Sequence, residues 1–176
     1  MIVFFALHAH ADETTTIHFT GVKKNAQMSC VYIGNTKINK IMAVNNEDEI
    51  GVFVKNNDGQ EVLIGACIYG DNTQGVYFVN VYGDDSTTPE KDGAFLNDTL
   101  IFKVWDKSAD KEYIVYTNQM QTVEDNPLNL PTVPPQFQNS ISFGLLNFNA
   151  ELPRDIVKDG ELNMKDVLAI MNALGE

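Results

Sequence analysis

The stretch DIVKDGELNMKD, residues 155–166, spaces its oxygen-bearing side chains as a calcium-binding loop does. In such a twelve-residue loop, side chains supply oxygens at positions 1, 3, 5, 9 and 12, position 7 offers its carbonyl, and position 6 is glycine. Here Gly160 stands at position 6, and Val157 at position 3 has no ligand side chain. The candidate ligands are Asp155, Asp159, Glu161, Asn163 and Asp166. The sequence therefore predicts Ca²⁺ as a cofactor, against the alternative of a polar loop that precedes an ordinary helix cap.

The residues after this loop predict one short helix. Asn163 can cap it, and Asp166 can reach back to the cap. Val167, Leu168, Met171 and Leu174 then form an apolar stripe. Loop and helix together resemble a single dockerin repeat. Because a complete dockerin pairs two such units to bind a cohesin, we expect this single unit to act as a calcium clip packed on the rest of the molecule or on a neighbour.

A second acidic loop, GDDSTTPEKDG, is a weaker candidate cation site. Asp84, Asp85 and Asp92 can converge on a metal ion, or their carboxylates can accept hydrogen bonds from backbone amides of the loop. Asp48 and Glu49 present a similar choice between ligand and turn cap.

These loops must be positioned by a chain that looks β throughout, from residue 15 to 148. Short runs rich in Val, Ile, Phe, Tyr and Thr alternate with Asn, Asp and Gly clusters. The predicted strands are TTIHFTGV, MSCVYI, EIGVFVK, EVLIGACIY, GVYFVNVY, TLIFKVWD, KEYIVYT and SISFGLLNF. The pattern predicts a mainly β fold, an antiparallel β-sandwich of jelly-roll or immunoglobulin-like type over residues 12–150, followed by the calcium loop and helix over 151–176. The proline-rich segment VEDNPLNLPTVPPQ is either a strap across the sandwich or a crossover before the last strand.

Three stretches occur in a recognisable order: EDEIGVF, VLIGACIYGD and VNVYGDDSTTPEKDGAFLNDTLIFKVWD. Together they resemble a β-sandwich repeat of secreted bacterial surface proteins, over about Met28 to Tyr113. Glu47 replaces the first glycine of that pattern, and Tyr82 replaces a tryptophan. The resemblance implies a secreted or extracellular, cell-surface module and implies no catalytic activity.

The amino-terminal segment, residues 1–11, is apolar and ends in the small-x-small pattern of a secretory cleavage site. It is either the end of a signal peptide or, if retained, a donor strand for the next subunit. The side chains that such a strand would bury are Ile2, Val3, Phe4, Phe5 and Leu7.

The charge balance excludes some partners. Asp plus Glu number 24 and Lys plus Arg 12, for a net charge of −12, which argues against nucleic acid. No apolar run reaches the roughly 20 residues that a membrane span needs. The sequence offers no Ser-His-Asp order and no phosphate-binding glycine loop, and His8 and His10 lie in the apolar segment, so we expect no enzyme.

Several residues carry secondary predictions. Asn97 begins an N-glycosylation pattern, and Ser86 and Thr99 lie in short O-glycosylation patterns. Cys30 and Cys67 form either one disulfide or two buried thiols. Trp105 and the tyrosines form either a sugar-stacking platform or core packing; the tyrosines concerned are Tyr69, Tyr77 and Tyr82.

Two classes of function compete. The first is a non-enzymatic secreted subunit of a fibre or surface assembly, joined to copies of itself head to tail by strand donation and stiffened by calcium. The alternative is an extracellular carbohydrate- or protein-binding module with surface glycans as partners. A solvent-exposed row of Trp and Tyr would favour this alternative.

Overall fold

A computed structural model describes residues 15–25, 28–122, 132–138, 143–151 and 164. Ten strands and one short 3₁₀ helix (Thr117–Gln119) make up the described secondary structure. The strands are β1 (Ser29–Gly34), β2 (Thr36–Ile38), β3 (Ile41–Met42), β4 (Glu49–Lys55), β5 (Glu61–Ile68), β6 (Tyr77–Tyr82), β7 (Ile101–Asp106), β8 (Lys111–Ile114), β9 (Met120–Thr122) and β10 (Phe143–Ala150). They form a six-stranded and a four-stranded sheet.

The six-stranded sheet is built around β10. Val31 of β1 pairs with Phe143, and Thr36 of β2 pairs with Phe148, both in parallel and in one register, so β1 and β2 act as a single strand interrupted at Asn35. On its other side this strand pairs antiparallel with β6 and β3, and β10 pairs antiparallel with β9. The predicted antiparallel arrangement therefore holds for the other described ladders and not for those of β10 with β1 and β2.

The four-stranded sheet has the order β5-β4-β7-β8 and is antiparallel throughout. Its ladder shifts register between Val52 and Phe53, so β5 carries one extra residue there, the fully buried Ile64. At Gly65 the strand lies against the backbone of β6, because a Cβ there would stand 2.5 Å from the carbonyl oxygen of Asn80. Glycine thus lets the edges of the two sheets meet at this side.

The core fills the space between the sheets and follows the alternation of each strand. Val79 and Val81 of β6 are buried while Phe78 and Asn80 are exposed. The largest fully buried apolar side chains come from both sheets and their connections: Tyr69, Tyr77, Phe102, Phe137, Ile50, Ile64, Leu100 and Leu146. A mainly β, two-sheet architecture is the part of the fold prediction that is confirmed.

The strand predictions from MSCVYI onward correspond to β1, β4, β5, β6, β7, β8 and β10. The prediction for TTIHFTGV is wrong, since residues 15–22 form bends and irregular backbone without a ladder. The three shortest strands, β2, β3 and β9, were not predicted. Apart from Met164, which is helical, the predicted terminal helix lies outside the described residues.

Candidate functional site

The start of the described chain docks on the outer face of the four-stranded sheet through one buried carboxylate. We call residues 15–19 the N-terminal strap. Glu49, the first residue of β4, is fully buried. Its Oε1 accepts a hydrogen bond from the backbone N–H of Ile17 at 2.6 Å, and its Oε2 accepts two, from His18 and Phe19, each at 3.0 Å. Three amides therefore take the place of counter-ions around this carboxylate.

Aromatic packing completes the attachment of the strap. The imidazole of His18 stacks on the Trp105 indole at 4.8 Å, and the ring of Phe19 meets that of Phe53 edge-on at 5.7 Å. Phe19 also lies over Gly51, where a Cβ would stand 2.8 Å from its ring. The glycine therefore leaves the recess that the Phe19 ring fills, and the strap buries Phe19 almost completely.

An ion network joins the strap to the far strand of the same sheet. Lys103 Nζ of β7 lies 2.7 Å from Glu61 and 2.9 Å from Glu112 of β8, and His18 Nε2 lies 3.2 Å from Glu112. Burial raises the pKa of Glu112, but the hydrogen bonds and charges of Lys103 and His18 outweigh that effect and lower it overall. The strap thus contacts strands β4, β7 and β8.

Within the described residues, β8 is an edge strand with one open side. The backbone N–H of Val115 donates to the carbonyl oxygen of Phe102. In the same register, the backbone N–H and C=O groups of Tyr113 and Lys111 also point toward β7. Because donors alternate along an antiparallel strand, Glu112 and Ile114 turn their backbone N–H and C=O groups outward. Ile114 itself is 42% exposed. An edge of this kind is a template for a further strand.

The aspartates of the second acidic loop serve the loop itself. Asp84 accepts hydrogen bonds from the amides of Asp92 and Gly93, at 2.8 and 3.2 Å. Asp85 accepts from the N–H and hydroxyl of Thr87, and Asp92 accepts from the Asp85 amide and from Lys23 Nζ. These are the backbone bonds that the sequence offered as the alternative to a metal. No group of three or more His, Cys, Asp or Glu that could hold a metal ion occurs among the described residues.

Asp48, the other acid weighed as a ligand or a cap, joins two connections. Its Oδ2 accepts from the Val44 amide at 2.7 Å, and its Oδ1 accepts from the Lys107 amide at 3.1 Å. Burial raises its pKa above the ordinary value. Asp48 and Glu49 present the same choice in the sequence, and the structure separates them: Asp48 secures loops, and Glu49 anchors the strap.

The aromatic residues that were weighed as a sugar platform belong mostly to the interior. Tyr69 is 1% exposed, Tyr77 0% and Trp105 8%. Trp105 is covered by His18, and its indole N–H donates to Asp110. Of the two alternatives, packing is the one that these three residues show.

The cysteines and the glycosylation candidates divide by exposure. Cys30 and Cys67 are free thiols, each buried in a different sheet, so the disulfide that the sequence left open is not formed. Burial raises the pKa of Cys30 to about 11 and that of Cys67 further.

Ser86, Asn97 and Thr99 are all exposed, with Asn97 at a turn with φ of 68°, and glycosylation there stays a prediction.

The remaining predicted sites fall elsewhere in the chain. The calcium ligands Asp155, Asp159, Glu161, Asn163 and Asp166 lie outside the described residues, as do the assembly residues Ile2, Val3, Phe4, Phe5 and Leu7. Over the part of the chain that the structure describes, no helix is long and apolar enough to cross a membrane.

Sequence reasoning missed the strap contacts and the role of Glu49. The sequence held one indication of this role: Glu49 is an acid at the start of the run EIGVFVK, whose other residues are mostly buried. Its partners lie about thirty positions earlier in the chain, which a local pattern does not reveal.

Comparison with known proteins gives no further lead. No family model matches the chain, and neither a curated protein nor a solved structure matches it significantly.

Proposed function

We propose that this protein is a non-enzymatic, secreted structural subunit of an extracellular fibre or surface assembly. In this proposal residues 1–11 of one copy add as a strand to the next copy, and calcium at residues 155–166 stiffens the assembly. The observation that carries it is the open side of β8, where Glu112 and Ile114 offer unpaired backbone groups within the described chain.

The position of the strap supports this arrangement. Glu49 holds Ile17, His18 and Phe19 on the four-stranded sheet, and His18 contacts Glu112 on β8. In this proposal the strap is therefore the last attachment of the donor segment to its own subunit, on the sheet that has the open edge. Three residues, 12–14, reach at most roughly 10 Å when fully extended, so in this proposal the two copies pack closely at the joint.

The energetics favour a durable joint. Five apolar side chains, at roughly 1.5–3 kcal/mol each when buried, would add to the backbone hydrogen bonds of the new ladder. The donor segment and the β8 edge are different surfaces, so the contact is head-to-tail. A contact of that kind extends into a filament unless its rotation closes a ring.

The first test compares the full chain with a form that begins at Asp12, by electron microscopy and size-exclusion chromatography. We expect filaments from the full chain and monomers from the shortened form. Monomers from both forms would contradict the proposal.

A second test addresses the acceptor edge. Ile114→Pro removes an outward N–H without removing a β7 hydrogen bond, whereas Ile114→Ala keeps the N–H and is the matched control. We expect the proline variant to stay monomeric while the alanine variant still polymerises. Equal polymerisation of the two folded variants would show that β8 is not the acceptor.

A further inference from the structure

A groove lies on the outward face of the six-stranded sheet, on the sheet opposite to the strap. It has a volume of about 590 Å³, and it runs along the second half of β10 between β2 and β9. This volume is within the range of pockets that bind small molecules or short oligomers, roughly 300–1,000 Å³. The groove shares no residue with the strap or with β8.

The lining of the groove has an unusual chemistry for this chain. Of its nine residues, five carry side-chain amides, two are lysines and none is acidic. Acidic residues outnumber basic ones by 24 to 12 in the whole sequence, so a lining with Lys37 and Lys40 and no acidic residue is a local reversal of charge. One carboxylate lies at its edge, where Glu151 Oε1 accepts a hydrogen bond from Asn149 Nδ2 at 2.6 Å. Such a reversal attracts an anionic ligand to this face of the molecule.

Part of the lining is held rigid by hydrogen bonds. Asn147 Oδ1 accepts from the Asn35 amide at 2.8 Å, and Asn149 Oδ1 accepts from the Lys40 amide at 3.1 Å. Gln119 is fixed through the Glu151 carbonyl oxygen at 3.0 Å. These bonds orient the amides before any ligand arrives, which lowers the cost of ordering them on binding.

Two other lining side chains are available for a ligand. In the sheet register Lys37 stands beside Asn149, and Gln121 stands beside Asn147, on either side of β10. Both side chains are exposed, and neither forms a hydrogen bond or ion pair with another described residue. An ammonium group and an amide thus flank a row of oriented asparagines.

We infer that this groove binds an acidic carbohydrate, an oligosaccharide that carries uronate carboxylates. Side-chain amides donate and accept together, which matches sugar hydroxyls that also do both. The lysines supply the charge for the carboxylates. An acidic peptide also satisfies the charge, but its backbone would more readily pair with a strand edge than with an outward face.

The experiment is isothermal titration of the full chain with two probes that share one backbone. An oligoglucuronate carries the carboxylate, and a cello-oligosaccharide of the same length has the neutral hydroxymethyl group instead. We expect the oligoglucuronate to bind more tightly, with an affinity that falls as sodium chloride is raised. Equal binding of both probes, or no binding of the oligoglucuronate, would overturn the inference.

Variants locate the binding in the groove. Lys37→Gln and Gln121→Ala change exposed side chains that the fold does not use, and we expect each to weaken oligoglucuronate binding, roughly tenfold for Lys37→Gln. Lys55→Gln removes an equal charge from an exposed position outside the groove and should bind as the parent does. A loss as large in Lys55→Gln, or parental affinity in both groove variants, would overturn the site. Tighter binding of polyglutamate than of the oligoglucuronate would overturn the ligand class.

Discussion

Glu49 shows how a single side chain can attach a whole segment. A buried carboxylate is costly unless its oxygens are hydrogen-bonded, and here three consecutive backbone amides meet that need. The same bonds satisfy Ile17, His18 and Phe19, which have no ladder of their own. Each partner therefore makes the burial of the other tolerable, and the strap folds on the sheet as a consequence.

Replacing this carboxylate should detach the strap. In Glu49→Gln one acceptor oxygen becomes an NH₂ group that faces amide donors, so we expect the free energy of unfolding to fall by about 2–3 kcal/mol. Urea denaturation measures the change, and Glu47→Gln, at an exposed neighbouring position, is the control. Stability equal to that of the control would show that Glu49 does not anchor the strap.

Gly51 and Phe19 should behave as a coupled pair. In Gly51→Ala the new Cβ meets the Phe19 ring at 2.8 Å, and we expect a loss of about 1–3 kcal/mol from the forced displacement. Phe19→Ala removes one of the two rings that this Cβ meets and leaves the Phe53 ring at 2.9 Å, so Gly51→Ala should cost less, but not nothing, in that background. A double-mutant cycle measures the coupling, and strictly additive effects would argue against the packing described here.

The Glu112 network predicts a pH dependence. The folded-state pKa of Glu112 is lowered, so its contribution to stability is fully present above the unfolded pKa of about 4.3 and is lost as pH falls through the folded value. We expect the parent to be more stable than Glu112→Gln at pH 6 and the difference to vanish in acid. The effect is modest because the group is partly exposed. A difference that is constant with pH would contradict this assignment.

At the scale of elements, local pattern predicted the strands that alternate clearly. EIGVFVK coincides with β4, and the turn-forming runs NNDGQ and DKSADK join β4 to β5 and β7 to β8. β2, β3 and β9 have two or three residues each, which is too short for a period of two to be visible. The strap has the composition of a strand, but its donors are taken by Glu49 rather than by a neighbouring strand.

The end of the proline-rich segment behaves as part of a sheet edge. Leu100 N–H donates to the carbonyl oxygen of Pro135, and Phe137 exchanges backbone bonds with Asn97 and Asp98. Phe137 is fully buried in the core. The described end of this segment therefore packs along the sheets, where the buried ring of the adjoining Phe137 fixes it, and the choice between strap and crossover stays a prediction.

This packing predicts a large effect of one ring. Phe137→Ala should lower the free energy of unfolding by about 3–5 kcal/mol through the cavity it leaves. Val133→Ala, at a more exposed position of the same segment, should change it little. Chemical denaturation gives the stabilities, and slow hydrogen exchange at the amides of Leu100 and Phe137 would support the pairing. A small effect of Phe137→Ala would contradict it.

At the scale of the whole molecule, the predicted calcium clip depends on sequence spacing. If calcium binds at residues 155–166, excess calcium should raise the melting temperature above that in chelator, because a ligand of the folded state stabilises it. Asp159→Ala should remove this response. The clip is wrong if the parent melts at the same temperature in calcium and in chelator.

The sequence predicted a cell-surface β module but not which part of its surface would bind a ligand. The groove depends on Lys37, Gln121 and Asn149, which come from distant parts of the chain and meet only through the parallel pairing of β10 with β2 and its pairing with β9. Trp105 illustrates the converse, since its residue type suggested a binding surface while His18 covers it. Long-range pairing decides both cases, and a single sequence does not specify it.

The single register that joins β1 and β2 to β10 also has a mechanical consequence. Ser29 begins this strand near the start of β10, and Ala150 ends β10 beside Ile38, so the two chain ends leave the ladder at opposite ends. Tension applied at Ser29 and Ala150 loads the parallel ladder in shear, and its hydrogen bonds must yield together instead of opening one after another. A two-sheet fold closed in this way resists pulling between these two points of its chain.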